Sequence, residues 1–409
     1  PDTDPGDVLV TILSATGSGT AASPLIAAVN AALNAEDVRP LTDQVTVQSA
    51  SIVNYEVIAT LYIPTGPDPT AVQTAALASV QAFVESRHRV HAAVVDANGT
   101  LLESVRNPHT ETWWRSCAKP FQVMPLVRSG GLERLGWGAS QLALACASHG
   151  GEPEHVALAE SMLAGIGLEE GDLACGAHEP LASRGARLLR ESGERLTRLH
   201  NNCSGKHAAM LARALLLGEP TSGYEQASHA VQRAAHETVA TWAGMTPEQI
   251  GVGVDGCGVT VFSLPLANMA LSYARLAHAS RHGDEPSRRI LNAMTSHPFL
   301  VGGSDRFDTR LMEAVGGNVV CKVGAEGVHT FAIIDRGIGF ALKVEDGSQR
   351  AQFVAVLAML AEYDGLPSPL PESLRDAAVR AVRNTRGEQV GEVFVSMAPL
   401  GAPARSDAS

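Results

Sequence analysis

Segments that read as strands stand at both ends of the stretch from about residue 84 to the C-terminus, and the part between them is rich in helix. Val90 to Val95 and Leu101 to Val105 flank Asn98-Gly99, a dipeptide suited to a tight hairpin turn. Near the other end, Asn318 to Lys322, His329 to Asp335 and Ile338 to Val344 are short apolar runs with turns between them. Phe353 to Tyr363 and Pro371 to Arg383 read as helices, and Glu388 to Ser396 as a last strand. Strands must find partners, so such a chain is expected to close one sheet with both its ends and to pack the helical middle against it. That is an α/β or α+β unit whose sheet joins both ends.

Ahead of this stretch the charge changes. Residues 1–86 carry nine acids and one base, Arg39, while the remainder carries 34 acids and 30 bases. The shift predicts two pieces of different origin, a small α/β module over 1–83 and a larger region over 84–409. In the first piece Ser23 to Leu33 reads as a helix, Val45 to Ile63 as one or two strands and Thr70 to Val84 as a helix. It holds no cluster of catalytic residue types. Pro1 stands where Met is expected, so the natural start is expected to be missing.

Hydrophobic residues make up 45% of the chain, enough for a sizeable core, and the formal net charge of −12 argues against a general nucleic-acid binder. The longest apolar runs, such as Phe353 to Leu360, are too short to span a bilayer, so no membrane role is expected. Six cysteines begin only at Cys117, without the spacing of a small disulfide scaffold. Reduced thiols in a cytoplasm fit them better. Of the 31 basic residues only four are lysines: Lys119, Lys206, Lys322 and Lys343. Arginine-biased codon usage accounts for the excess of arginine. It leaves open whether the surviving lysines stand where an amine must lose its proton, which arginine cannot do.

Four strings could carry chemistry. Ser116-Cys-Ala-Lys119-Pro120 puts a serine at a helix start with a lysine one turn on, a nucleophile–base spacing or merely a cap beside a surface lysine. Cys321-Lys322-Val-Gly324 ends a strand. S-x-x-K followed late by K-x-G is the order of serine acyl-enzymes, although the middle S-D-N element is absent. Ser148 closes an apolar helix before Gly150-Gly151, an oxyanion loop or an ordinary C-cap. Cys203 and Lys206 share one face at a helix start, and Cys257 follows a short strand. Two thiolates suit zinc, but a lysine ligand is unusual, and spacing alone fits two buried structural cysteines as well.

Taken together, these strings resemble one family, the zinc-containing L-asparaginase II or class 3 asparaginases. The resemblance rests on Glu85-Ser-Arg-His-Arg89, Arg115-Ser-Cys-Ala-Lys-Pro-Phe-Gln122, Ala145-Cys-Ala-Ser-His-Gly-Gly-Glu-Pro-Glu-His155 and Cys175-Gly-Ala-His178. Asn201-Asn-Cys-Ser-Gly-Lys-His207, Asp255-Gly-Cys-Gly258, His297-Pro298, Arg306-Phe-Asp308 and Lys322-Val-Gly-Ala-Glu-Gly327 continue it. It implies an α/β fold similar to serine β-lactamases and glutaminases, a mixed sheet with a helical domain, and a homodimer that hydrolyses L-asparagine to L-aspartate and ammonia. It implies two Ser–Lys tandems, Ser116 with Lys119 and Ser148 with Lys322. It also implies a zinc held by Cys203, Lys206 and Cys257, with Arg115, His207 and Asp255 as substrate or supporting residues. A glutaminase or β-lactam-active acyl-enzyme is the alternative. Val90 in place of the usual Gly, and Trp113-Trp114 ahead of Arg115, depart from the family pattern at the sheet edge and pocket rim.

The first piece resembles a phage baseplate J-like protein, through Asp7-Val-Leu-Val-Thr-Ile-Leu-Ser14, Glu36-Asp-Val-Arg-Pro-Leu-Thr-Asp43 and Val45-Thr-Val-Gln-Ser49. A gene fusion or a mis-assembled reading frame is the expected origin of the junction, ahead of a new regulatory domain. A structural tail protein is the non-enzymatic alternative.

Overall fold

The computed structural model describes residues 87–395, the strands Asp7–Ile12 (β1) and Gln44–Ser49 (β2), and a few helical positions between residues 23 and 31. The chain splits into two compact units, Pro1–Phe83 and Val84–Ser409. In the first, β1 and β2 pair in parallel with Asp7 opposite Gln44. The helix predicted from Thr70 and the strand residues beyond Ser49 lie outside the described residues.

The larger unit opens with the expected hairpin, Val90–Asp96 (β3) and Leu101–Val105 (β4). Gly99 takes φ 93° in its turn, a conformation that costs glycine nothing. Glu111–Trp113 (β5) leads through a 3-10 turn, Arg115–Ala118, into helix Lys119–Arg128 (α1). Helices Ala139–Ala145 (α2) and Ser204–Leu217 (α3) follow, then strands Gly251–Val254 (β6) and Thr260–Pro265 (β7). After helices Leu266–Arg281 (α4) and Phe307–Ala314 (α5) come Val319–Val323 (β8), Val328–Ile333 (β9) and Ile338–Val344 (β10). The main sheet runs β4-β3-β10-β9-β8 and is antiparallel throughout, so both ends of the unit meet in it. A second antiparallel sheet runs β5-β7-β6. The fold is the mixed α/β class expected from the sequence.

Successive strand residues face opposite sides of a sheet. Every residue of β8 and β9 is buried, so helices cover both faces there. Helix α4 lies across β10, β3 and β9, closest at Gly339. A Cβ at Gly339 would stand 2.0 Å from the Ala270 carbonyl oxygen and 2.5 Å from the Ala274 nitrogen. Helix α3 meets α2 in the same manner, because a Cβ at Gly205 would fall 2.5 Å from the Leu144 carbonyl oxygen. That contact sets the end of α2, where Ser148 follows, against the start of α3, where Lys206 sits.

The C-terminal part differs from expectation. The helix begun at Glu372 ends at Ala378, and Arg380–Arg383 (β11) pairs with Gln389–Val393 (β12). A turn causes this: Asn384 donates its N–H to Glu388 O, and Gly387 at φ 82° donates to Asn384 O. The last strand therefore forms a separate ribbon rather than joining the main sheet.

Gly339→Ala should lower stability by about 1–3 kcal/mol, the range for overpacking a filled core. Thermal melting checks this, and an unchanged midpoint would show that α4 can lift from the sheet at no cost.

Candidate active site

Three of the four lysines are buried, Lys119 and Lys322 at 0% exposure and Lys206 at 1%. A buried ammonium is costly unless it is paired or gives up its proton. Two of the three solve this together. Lys119 Nζ donates to Ser148 Oγ at 2.9 Å and to the Ala147 carbonyl. Lys322 Nζ stands 2.8 Å from the same Oγ and 2.9 Å from Val323 O. Burial lowers the Lys322 amine first and the Lys119 charge lowers it further, to about 8.

Each partner is fixed by its element. Lys119 opens α1, and Lys322 lies in β8 one residue before the strand ends. Ser148 lies three residues beyond α2, where its N–H donates to Val301 O at 3.0 Å. His149 next to it donates its backbone N–H to Asn202 O and sets Nε2 2.9 Å from Ser204 Oγ. Its Nδ1 accepts the Gly151 N–H, so Nε2 carries the hydrogen of the neutral ring. Burial holds that ring well below its ordinary range, with His155 and Lys119 adding to the effect.

Asp308 was visible in the sequence only as part of the Arg306-Phe-Asp308 string, with no role attached. Its carboxylate accepts the Val323 N–H at 2.7 Å and lies 3.1 Å from His329 Nε2. Burial would raise this carboxyl, but His329, Lys322 and the Val323 N–H outweigh it and hold it well below the usual range. Asp308 so clamps the strand end that carries Lys322. Cys321 completes a buried group with ligand atoms all within 4.8 Å.

Ser116 is half-buried in the turn before α1, and its hydroxyl makes no hydrogen bond among the described residues. Its expected partner Lys119 reaches across to Ser148 instead. Arg115 just before it has φ 52°, an uncommon strain for a non-glycine residue. Its Nε donates to Asp255 Oδ1 at 2.8 Å, which ties the strained residue to the turn before Cys257. Arg115 and Asp255 thus neutralise each other. His207 is fully buried and bonded through Nδ1 to the Tyr224 hydroxyl.

Cys203, Lys206 and Cys257 come together from two segments. Lys206 Nζ lies 3.2 Å from Cys257 Sγ, and Cys203 Sγ lies 3.0 Å from Asn202 Oδ1. A hydrogen bond from Cys203, with help from the Lys206 charge, pushes the Cys257 thiol down to about 4, while Cys203 is pushed up to about 12. Two sulfurs and one amine, buried together, fit a borderline ion such as zinc. All six cysteines are free.

Comparison with known proteins bears on this geometry. The sequence model of L-asparaginase II matches residues 80–395. The chain belongs to the L-asparaginase II family. The matched region holds Ser148 and the three buried lysines. The N-terminal part is 44% identical over 86 residues to baseplate protein J of Escherichia phage P2, as the resemblance read there implied. That match spans 21% of this chain and 28% of the phage protein, little more than a quarter of its length. Among solved structures, Mglu in its native form is 17% identical, covers 72% of this chain and 69% of its own, and has a TM-score of 0.39. A Mycobacterium bovis beta-lactamase is 13% identical, covers 70% and 99%, and has a TM-score of 0.30. Among the described residues no helix is long and apolar enough to cross a membrane.

The lowered Lys322 amine has a consequence for stability. Between about 8 and its ordinary 10.5 the unfolded chain holds a proton there that the folded chain lacks. The cost of burying Lys322 is therefore full below pH 8 and fades as pH rises towards 10.5. The stability of the protein relative to Lys322→Met should climb over that window. Denaturant titrations across it check this, and a flat difference would show that Lys322 stays charged in the fold.

Proposed function

We propose that this asparaginase II family member hydrolyses L-asparagine to L-aspartate and ammonia through a serine acyl-enzyme. The convergence of Lys119 and Lys322 on the Ser148 hydroxyl, at 2.9 and 2.8 Å, is the observation that carries the reading. Amide hydrolysis needs a nucleophile, a base for its proton and an acid for the departing ammonia. Two amines joined through one hydroxyl can hold a proton at either end, and the Lys322 amine at about 8 is the one poised to be neutral.

Ser116 is the proposed nucleophile. Its hydroxyl is uncommitted, it precedes Lys119 by one helical turn, and the adjacent Arg115 is strained. Ser116 Oγ attacks the side-chain carbonyl carbon, and its proton passes to Lys119 or, through Ser148, to Lys322. The C–N bond then breaks, the nitrogen takes the stored proton and leaves as ammonia, and a β-aspartyl ester remains on Ser116. Water, deprotonated by the same amines, hydrolyses the ester and restores the serine. A second reading makes Ser148 the nucleophile, because Ser148 rather than Ser116 lines the small cavity beside the lysines.

Cys203, Lys206 and Cys257 are the proposed zinc ligands. The metal would supply a fixed charge that orders the pocket. Its binding would displace the protons of Cys203 and Lys206. The reading carries with it a cytoplasmic homodimer, with the baseplate-like segment as a fused extra module. The chain's full activity and partners are part of this proposal.

Ammonia release from L-asparagine, beside L-glutamine and a chromogenic β-lactam, tests the substrate. Turnover of the β-lactam alone would replace the proposal with its rival. Intact-mass analysis during turnover should trap a β-aspartyl adduct on Ser116, and an adduct on Ser148 would transfer the nucleophile's role. The rate should rise with pH through a limb near 8 as Lys322 loses its proton, and Lys322→Arg should lose about 100-fold or more because arginine stays charged. Metal analysis should find about one zinc per chain, lost in Cys257→Ser. Equal zinc in both proteins would remove Cys257 from the ligand set.

A further inference from the structure

A cavity of about 120 Å³ opens beside the lysine pair, and its walls include Ser148, Asp308, Val323, Phe353, Asp305 and Arg306. Four arginines stand near the site, and three have their charge met. Arg115 pairs with Asp255 at 2.8 Å, Arg184 with Glu152 at 2.6 Å, and Arg310 with Asp376 at 2.8 Å. The Arg306 guanidinium has no hydrogen-bonding or ion-pair partner among the described residues, although the residue is only half-exposed. A guanidinium held partly out of water with no carboxylate in ion-pair reach is poorly solvated, and its five donors are left without protein acceptors.

The backbone that carries Arg306 is built to stay in place. Val301 O accepts the Ser148 N–H at 3.0 Å, so this loop and the serine are tied directly. Ser304 N–H donates to the buried Glu152 carboxylate at 2.8 Å. Gly303 takes φ 120°, and a Cβ there would fall 2.9 Å from that carboxylate and 3.2 Å from Gly150 Cα. Arg306 then caps helix α5, whose second residue is the clamp Asp308. The lysine clamp and the unpaired guanidinium therefore sit on one rigid segment.

We propose that Arg306 is a substrate-binding residue that holds the α-carboxylate of an amino-acid substrate in the cavity beside Ser148. A planar fork suits a carboxylate with two parallel hydrogen bonds. Asp305 on the same wall, with Oδ2 accepting the Ser183 N–H at 3.0 Å, gives the opposite charge for the α-ammonium group. The substrate class this selects is a zwitterionic α-amino acid bearing a side-chain amide, not a simple amide. The inference rests on the amidohydrolase reading above for the reaction, but the binding it describes does not need turnover.

The test therefore has a binding arm and a rate arm, both with the full chain. Calorimetry with L-aspartate, the expected product, should give saturable binding that weakens about 30-fold or more in Arg306→Ala. Arg306→Lys, which keeps the charge without the fork, should fall between, with melting curves confirming that both variants fold. In the rate arm, 3-aminopropanamide lacks the carboxylate. Arg306→Ala should lower kcat/KM for L-asparagine far more than that for 3-aminopropanamide, so the preference collapses. Equal L-aspartate affinity in wild type and Arg306→Ala, or no binding to the wild type, would overturn the proposal. Binding that depends on Arg306 without hydrolysis of any amide would keep the subsite and defeat the hydrolase reading instead.

Discussion

The serine hydroxyl shared by two buried amines is the contact around which the rest of the site is arranged. Two ammonium groups this close, without a carboxylate between them, cannot both stay charged cheaply, and water is excluded from the space around them. The fold meets this in three ways. Carbonyl oxygens of Ala147 and Val323 accept from the two amines. The hydroxyl accepts one proton and can donate another, so it joins a charged amine to a neutral one. Asp308 stands near enough to Lys322 to temper the cost, but one of its oxygens accepts the Val323 N–H and the other faces His329 Nε2 at 3.1 Å. Arginine at either position would remain charged and would have nowhere to put its additional donors.

That constraint explains why so many elements end at one point. Ser148 follows α2, Lys119 begins α1 and Lys322 lies near the end of β8, so each side chain sits where a regular element gives way to a turn. Element ends leave backbone donors and acceptors unsatisfied, and here those groups hold the loops to one another. Ser148 bonds to Val301, His149 to Asn202 and Ser304 to Glu152 across three separate loops. Gly205 lets α3 approach α2 at the distance this stitching needs, so the pair of thiols and Lys206 at the α3 start are positioned by the same packing.

Much of this was legible in the sequence, for physical reasons that can be traced. The strands of the main sheet were readable because β8, β9 and β10 are short apolar runs between turn residues, and the β3–β4 hairpin because Asn-Gly marks its bend. The scarcity of lysine drew attention to four residues, three of which prove to be buried amines. What could not be read was which serine each lysine serves. Spacing of three along a helix suggested Ser116 for Lys119, but the long side chain crosses to another loop, and tertiary packing decides where it ends. Arg115 and Asp255 could be expected as substrate or supporting residues but not as partners of each other, because they lie 140 residues apart. The helix expected through Arg383 failed for a local reason, since the Asn384–Gly387 turn folds Arg380–Arg383 back as a strand.

Asp308 and Arg306 were present in the sequence without a role because their meaning depends on charge balance rather than motif. Around Ser148 the described cations outside ion pairs are Lys119, Lys322 and Arg306; of the two buried carboxylates Glu152 is paired with Arg184 and Asp308 is committed to Val323 and His329, which leaves the exposed Asp305. Such a site is short of negative charge until an anion arrives. A bound carboxylate would raise the proton affinity of the nearby amines just as a substrate is ready to react. That favours a proton staying on the pair once the serine has given it up, where the departing nitrogen needs it. The same anion would leave with the product, and the amine would return towards about 8 for the next cycle. Under the proposed function, charge deficiency in the free site would therefore link recognition of the substrate to the direction in which its proton moves.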